Sequence, residues 1–403
     1  MKTIFYIVVA VGFMALGACE RTEMAMVEET PPDVTPAITG KIRQNANTVP
    51  VIKIEAGMPD HKRPTVTPVT IPAHKQQQTV ITAKITRPNK PMRSTPFKVR
   101  RCMNMGNALE APNEGDWGYR ITAQDLRTVA AAGFDTVRIP IRWDAHTAHR
   151  APYIIDAAFM SRVKTVVRDA QAAGLGVIID VHHYEDLMAH PVREKKRFLA
   201  IWDQIARNFA DAPDTVYFEV LNEPTLAISN AQVNALYAKV LPIIRASNPR
   251  RKVILGGNSW NSIESLAEVR WPLNNGIRDN NLVATFHDYG PHAFTHQGAE
   301  WSEPVMPMGR RWGGKEDIAE LRDTYRQAHD FKAKTGLPIF VGEFGVIDKV
   351  PLGERNQWIK TRRKTIEQAG YAWCVWDFSG AFKSYDTAKD QWLPGTMDAL
   401  FGR

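Results

Sequence analysis

The chain has 403 residues, of which 44% are apolar and 23% charged, with a formal net charge of +8. This is an ordinary globular composition, and although mildly basic the chain has no Lys/Arg block with interleaved aromatics, which excludes nucleic acid as an expected partner. Its three cysteines, Cys19, Cys102 and Cys374, form no Cys-x-x-Cys pair, which argues against a cysteine-held zinc.

The first element is an apolar run from Ile4 to Leu16, preceded by Lys2 and followed by Gly17-Ala18-Cys19. A positive start, a short apolar run and small residues before a cleavage point describe an export signal. The run is shorter than the ~20 residues a membrane span needs. "LGAC" also resembles the bacterial lipoprotein signal. That resemblance implies residues 1–18 as signal peptide and Cys19 as a lipidated first residue. It further implies an exported protein held in the cell envelope, at the outer membrane or on the periplasmic face, with the membrane as a partner through its lipid. Residues 19–96 hold eleven of the 26 prolines and no tryptophan. Pieces such as "TPPDVTPAITG" show no sustained periodicity, so this stretch is expected to be an extended, disordered tether. All eleven tryptophans lie between Trp117 and Trp392, which places the folded domain at 97–403.

Within that domain an amphipathic helix repeatedly ends at a glycine and a strand begins at once. The clearest cases are "TVAAAGFDTVRIP", "DAQAAGLGVIIDVHH", "AKTGLPIFVGEF" and "IEQAGYAWCVWDF". Gly133, Gly174, Gly336 and Gly370 are natural helix ends, because glycine enters the left-handed conformation cheaply. The strands are continuous apolar runs, as expected where both faces are buried. They fall near 99–105, 134–140, 175–181, 215–221, 252–257, 282–286, 338–343 and 371–377. Helical patterns lie between them, at 122–132, 156–173, 194–210, 231–247 and 315–335. Eight such units predict an α/β protein with a closed (β/α)8 barrel. The rival is an open doubly wound sheet, which wants a Gly-rich phosphate loop after its first strand; "CMNMGNALE" is not one. Cys102 and Cys374 fall on the first and last strands, neighbours in a closed barrel. A disulfide is geometrically possible there, and two buried free thiols are the expectation.

In barrel enzymes the chemistry sits at the C-terminal ends of the strands. Read in order, those ends deliver Asn104 and Asn107, Arg138 and Trp143, His182, His183 and Tyr184, Asn222 and Glu223, Asn258 and Trp260, His287 and Tyr289, Glu343, then Trp376 and Asp377. Hydrogen-bonding and aromatic side chains therefore gather at one rim. Glu223 on strand four and Glu343 on strand seven can face each other across the mouth. Two carboxylates flanking one bond are what glycosidic cleavage requires, one as proton donor and one as nucleophile or base. The rival reading makes them rim salt bridges.

"VYFEVLNEP", "PIFVGEFG", "DTVRIPIRW", "IIDVHHY" and "FHDYGP" together resemble glycoside hydrolase family 5. "FTHQGAEW" further resembles its bacterial endoglucanase branch, which includes enzymes active on glucan and mannan. The resemblance implies that Glu223 is the acid/base and Glu343 the nucleophile, acting with retention and without a cofactor or metal. It implies that Asn222 holds the 2-hydroxyl of the reacting sugar, and that Arg138 and Tyr289 keep Glu343 ionised. His287 would serve the proton traffic of Glu223, His182 and His183 would line the sugar pocket, and Trp376 would be the stacking floor. Trp260, His296 and Trp301 are outer-subsite candidates, and Glu110, Asp116, Trp117 and Trp143 are weaker cleft candidates. Asp180 is expected to make a structural bond. The histidine pair at 182–183 points to opposite faces of its strand, against a metal site. The expected activity is that of a monomeric endo-β-1,4-glucanase acting on a β-linked polysaccharide or oligosaccharide, with β-mannanase or mixed-linkage glucanase as alternatives. A non-catalytic glycan-binding lipoprotein is the remote one.

Overall fold

The computed structural model describes residues 94–274 and 276–403. The expected signal, the Cys19 lipidation site and nearly all of the expected tether lie outside the described residues. Eight parallel strands close on themselves: β1 (Arg101–Asn104), β2 (Thr136–Ile139), β3 (Gly176–Asp180), β4 (Val216–Glu219), β5 (Val253–Leu255), β6 (Leu282–His287), β7 (Ile339–Phe344) and β8 (Ala372–Val375). Each pairs with its sequence neighbours, and β1 pairs with β8. The expected (β/α)8 barrel is the observed one, and each strand sits within or against its apolar run.

Helices Ala123–Ala131, Ala157–Ala172, Pro191–Asn208, Asn230–Ser247, Lys315–Thr335 and Leu352–Gln368 follow their strands around the outside. Their starts are written in the sequence. Thr122 and Asp125 form a capping box, as do Ser229 and Gln232, each pairing satisfying two otherwise orphaned backbone donors. Gly336 ends the Lys315–Thr335 helix in the left-handed conformation, with φ 67°. After β5 there are only two short helices, Asn258–Asn261 and Ile263–Leu266, where no long helical pattern had been expected. No helix among the described residues is long and apolar enough to cross a membrane.

The barrel interior is layered, and the layering positions the site. At the N-terminal end of the strands Cys102, Ile178, Tyr217, Ile254, Val283, Phe340 and Cys374 form one apolar cluster. Phe97 closes it from below, its ring edge-on to Tyr217 at 5.2 Å and to Phe340 at 6.0 Å. Thr95 fastens this segment by donating its backbone N–H to Asn281 Oδ1 at 2.9 Å and its hydroxyl to the Arg250 carbonyl at 2.9 Å. One layer further along five of the strands the interior turns polar, with Asn104, Arg138, Asp180, Glu219 and Thr285 all buried. Side chains alternate with period two along a strand, so a charge at such a position is driven inward and must find partners there.

The free-thiol expectation is corrected. Cys102 and Cys374 are joined as a disulfide, being directly opposite one another in the β1–β8 register. The sequence could put them on neighbouring strands but not in the same row. The bond ties the first strand to the last across a separation of 272 residues. Loss of a cross-link spanning so long a loop costs about 2–5 kcal/mol. A Cys102→Ala/Cys374→Ala double variant is expected to melt about 5–12 °C below wild type in calorimetry. Equal melting temperatures would show that the bond does not support the barrel.

Candidate active site

Arg138, wholly buried on β2, organises the mouth. Its Nε and Nη2 fork onto Glu219 at 2.7 and 3.0 Å. Nη2 also meets Asp180 Oδ2 at 2.9 Å and donates to Asn222 Oδ1 at 2.6 Å. Nη1 donates to Asn104 Oδ1 at 2.9 Å and to Glu343 Oε1 at 2.8 Å. Burial alone would lower the guanidinium pKa, but Glu219, Asp180 and Glu343 outweigh it and hold the group well above its ordinary value. A planar fork suits this task, because it donates in several fixed directions at once.

Glu343 faces the mouth because β7 is irregular. Phe340 points into the barrel, so strict alternation would send Gly342 inward and Glu343 outward. Instead Phe286 pairs with Val341 and His287 pairs with Glu343, which leaves Gly342 as an extra residue. A bulge of this kind re-aims the side chain that follows it. Asn104 Nδ2 donates to the Gly342 carbonyl at 3.0 Å, giving the bulge a partner. Once inward, Glu343 also accepts from the Tyr289 hydroxyl at 2.9 Å.

Glu223 stands just past β4 with a quarter of its side chain (25%) exposed, against 5% for Glu343. Its Oε1 lies 2.6 Å from His287 Nδ1, which is itself 3.6 Å from Glu343 Oε2. One atom from each of Glu223, His287 and Glu343 lies within 4.8 Å of the other two. This donor set has the spacing of a cation site as well. The 2.6 Å contact between Glu223 and His287 is that of a shared proton, which already accounts for the arrangement.

The two carboxyls differ in environment. Burial pushes Glu223 up to about 8, with Arg138 pulling down and Glu219 pushing further up. Burial also pushes Glu343 up, to about 7, against His287, Arg138 and Tyr289, which all pull it down. Arg138 and Tyr289 therefore favour the ionised form as expected, but they do not cancel the desolvation. Glu343 is held by more groups that favour its ionised form than Glu223 is. His287, lowered chiefly by burial, is neutral around pH 7. A carboxyl that keeps its proton beside one that gives it up is the division of labour of an acid and a nucleophile.

Trp376 and His182 line the adjoining wall, their rings 5.6 Å apart and within 5° of parallel. His182 Nδ1 is 2.7 Å from Asp180 Oδ2, and its Nε2 is 3.3 Å from Asn222 Nδ2. The β1 loop lies so close behind Trp376 that a Cβ on Gly106 would come 2.9 Å from the indole. Such a loop needs glycine there.

The Cellulase family profile, glycosyl hydrolase family 5, matches residues 96–382. The chain belongs to glycosyl hydrolase family 5. Endoglucanase H of Acetivibrio thermocellus is 35% identical over 295 residues, covering 72% of this chain and 31% of that protein. The cellulase/esterase CelE of the same organism is 30% identical over 294 residues, covering 68% and 35%. This chain thus spans about a third of the length of these curated relatives. Among solved structures, endoglucanase Cel5A of Thermotoga maritima is 38% identical with a TM-score of 0.71, covering 75% of this chain and 97% of that one. Cellulose synthase subunit Z of Clostridioides difficile is 31% identical with a TM-score of 0.72, covering 75% and 100%.

In this family 5 barrel the residues expected at the mouth are gathered there: Arg138, His182, Asn222, Glu223, His287, Tyr289, Glu343 and Trp376 form one contact network. His183 does not point away from His182 as expected: the two rings meet edge-on at 4.8 Å, and His183 also meets Trp117 edge-on at 5.8 Å. Trp260 and Trp301 are about half exposed, at 44% and 47%, and the backbone N–H of Trp260 donates to the Pro224 carbonyl at 3.3 Å, beside Glu223. His296 is half-buried. It stacks on His292 at 4.1 Å and packs edge-on behind Tyr289 at 4.9 Å. Trp143 is wholly buried and donates to the Asp180 carbonyl at 2.8 Å, so it is a core residue and not a cleft wall. Glu110 is buried too, and its carboxylate accepts the backbone N–H groups of Asn107 and Ala108. Asp180 makes its expected structural bonds. The residue missed was Glu219. A carboxylate inside the apolar run "VYFEVL" was the available signal, since a buried charge demands a partner.

Proposed function

We propose that this chain is a retaining endo-β-1,4-glucanase that uses no cofactor, with Glu223 as acid/base and Glu343 as nucleophile. The carrying observation is the facing pair, whose nearest atoms lie within 4.8 Å. So close an approach supports the ~5–5.5 Å carboxyl spacing of retaining glycosidases over the ~6.5–9.5 Å of inverting ones. In the first step Glu223 gives its proton to the leaving oxygen while a Glu343 oxygen bonds the anomeric carbon. In the second, Glu223 takes a proton from water, the water oxygen bonds that carbon, and the Glu343 bond breaks. Asn222, held through its Oδ1 by Arg138 and facing His182 Nε2 with its Nδ2 at 3.3 Å, has an amide N–H left for the sugar 2-hydroxyl. Trp376 supplies an aromatic face for the sugar C–H surface.

The endoglucanase relatives support glucan as the substrate and an endo mode of attack. Cel5A has been solved with cellobiose and with mannotriose, so glucomannan belongs in the assay beside carboxymethylcellulose and barley β-glucan. We place the chain in the bacterial endoglucanase branch as a monomer. Lipidation at Cys19 and a place in the cell envelope rest on "LGAC" alone. Membrane fractionation of Cys19→Ala tests the lipidation; unchanged membrane association removes the anchor.

The chemistry is tested by NMR of the first-formed anomer from a β-cello-oligosaccharide, expected to be β. Azide added to Glu343→Ala is expected to restore turnover as a glycosyl azide of inverted configuration. An α-product from wild type would reject double displacement, and failure of azide would count against Glu343 as the nucleophile.

A further inference from the structure

β6 sends Thr285 and His287 into the barrel, two positions apart, and the Gly342 bulge lies opposite them. Thr285 Oγ1 and His287 Nε2 are both buried, and neither has a hydrogen-bond partner among the described residues. A Cβ on Gly342 would stand 2.8 Å from the first and 3.0 Å from the second. The two atoms thus border one small gap, which exists because residue 342 has no side chain. Buried polar atoms without partners are uncommon, and each calls for a reason. Here one is a hydroxyl, which accepts as well as donates, and the other belongs to a neutral imidazole, which has a single N–H to place.

We propose that Thr285 is a positioning residue: its hydroxyl receives the Nε2 proton of His287 through one bridging water, and so fixes the tautomer that leaves Nδ1 an acceptor toward Glu223. The inference rests on reading Glu223 as the proton donor. With Nδ1 as acceptor, its 2.6 Å contact with Glu223 Oε1 keeps the catalytic proton on the carboxyl. The other tautomer would aim an N–H at Glu223 and at Glu343 Oε2, 3.6 Å away. It would favour two ionised carboxylates and remove the acid. The charged and titratable groups facing this pair are Glu343 from β7, Arg138 from β2, Glu219 from β4, Asp180 and His182 from β3, and Tyr289 after β6. No described residue hydrogen-bonds Nε2, so the choice of protonated nitrogen falls to the hydroxyl beside it.

Thr285→Val keeps the shape and removes the hydroxyl, while Thr285→Ser keeps the hydroxyl. Each is compared with wild type in the pH profile of kcat/KM on an aryl β-cellobioside, and in the imidazole NMR of isotope-labelled histidine in the free enzyme. Thr285→Val is expected to lose about fivefold in kcat, and its alkaline limb to move down by about half to one pH unit as Glu223 loses its acceptor. Thr285→Ser should overlay wild type. The spectra should show the proton on Nε2 of His287 in wild type and the serine variant, and on Nδ1 in the valine variant. An unchanged profile and tautomer in Thr285→Val, or an Nδ1 proton in wild type, overturns the proposal. If wild type cleaves no β-glycoside, the acid assignment of Glu223 fails instead, and the spectra still decide the tautomer. If the valine variant does not fold, the wild-type spectrum alone decides.

Discussion

Glu223→Gln and Glu343→Gln are each expected to lose about 10³–10⁵-fold in turnover while remaining folded. Near wild-type rates in either would end the assignment. Both variants should also be more stable than wild type near neutral pH. The folded state holds the Glu223 proton up to about 8 and the Glu343 proton up to about 7, against an ordinary value of 4.5. Between the ordinary value and these raised ones the folded chain binds more protons than the unfolded one, so each carboxyl makes stability fall as pH rises. Below the ordinary value both states are protonated and the penalty vanishes. Glutamine removes the penalty, so melting temperatures of variant and wild type should differ at pH 7 and converge at pH 4. Wild-type kcat/KM should be bell-shaped, with the acid limb following ionisation of Glu343 and the alkaline limb following loss of the Glu223 proton. A single-limbed profile would contradict an acid and a nucleophile working together.

Arg138→Met is expected to be the most damaging single change outside the two glutamates. It strands the buried carboxylates of Glu219, Asp180 and Glu343, all within 3.0 Å of the guanidinium. Removing one partner of a buried ion pair costs about 3–5 kcal/mol, because the other is left uncompensated. That corresponds to a fall in melting temperature of about 5–15 °C. Without the cation Glu343 holds its proton to higher pH, so the acid limb should move upward and turnover should fall by about 10³-fold. Arg138→Lys keeps the charge but not the fork, and should recover part of the stability and little of the rate. If Arg138→Met kept its acid limb in place, the arginine would be shown not to tune the nucleophile.

The barrel was legible because its signal is local and repeated: apolar runs, helical patterns and glycine stops in alternation. The rim was legible because a strand that ends on Asn-Glu-Pro or His-His-Tyr spends polar residues where apolar ones would serve a core. Trp143 shows the limit of that reading. It belongs to a rim segment, but indole is as useful for packing as for sugar contact, and only its burial and its bond to the Asp180 carbonyl decide which it does. Glu219 was passed over for the opposite reason, since its place inside an apolar run hid that it faces the interior.

The sequence by itself determined the eightfold alternation, the side of the barrel that carries polar groups, and which two glutamates end strands four and seven. These follow from hydrophobic periodicity and from the residue types at strand ends, which the chain encodes locally. Only the tertiary structure decided that Cys102 meets Cys374 in one row, that a bulge at Gly342 turns Glu343 inward, and that Arg138 joins three carboxylates under the mouth. It also decided which cations and hydroxyls surround each of the two glutamates. Each of these depends on register between strands distant in sequence, or on burial by side chains from several strands at once, and period-two alternation within one strand carries neither.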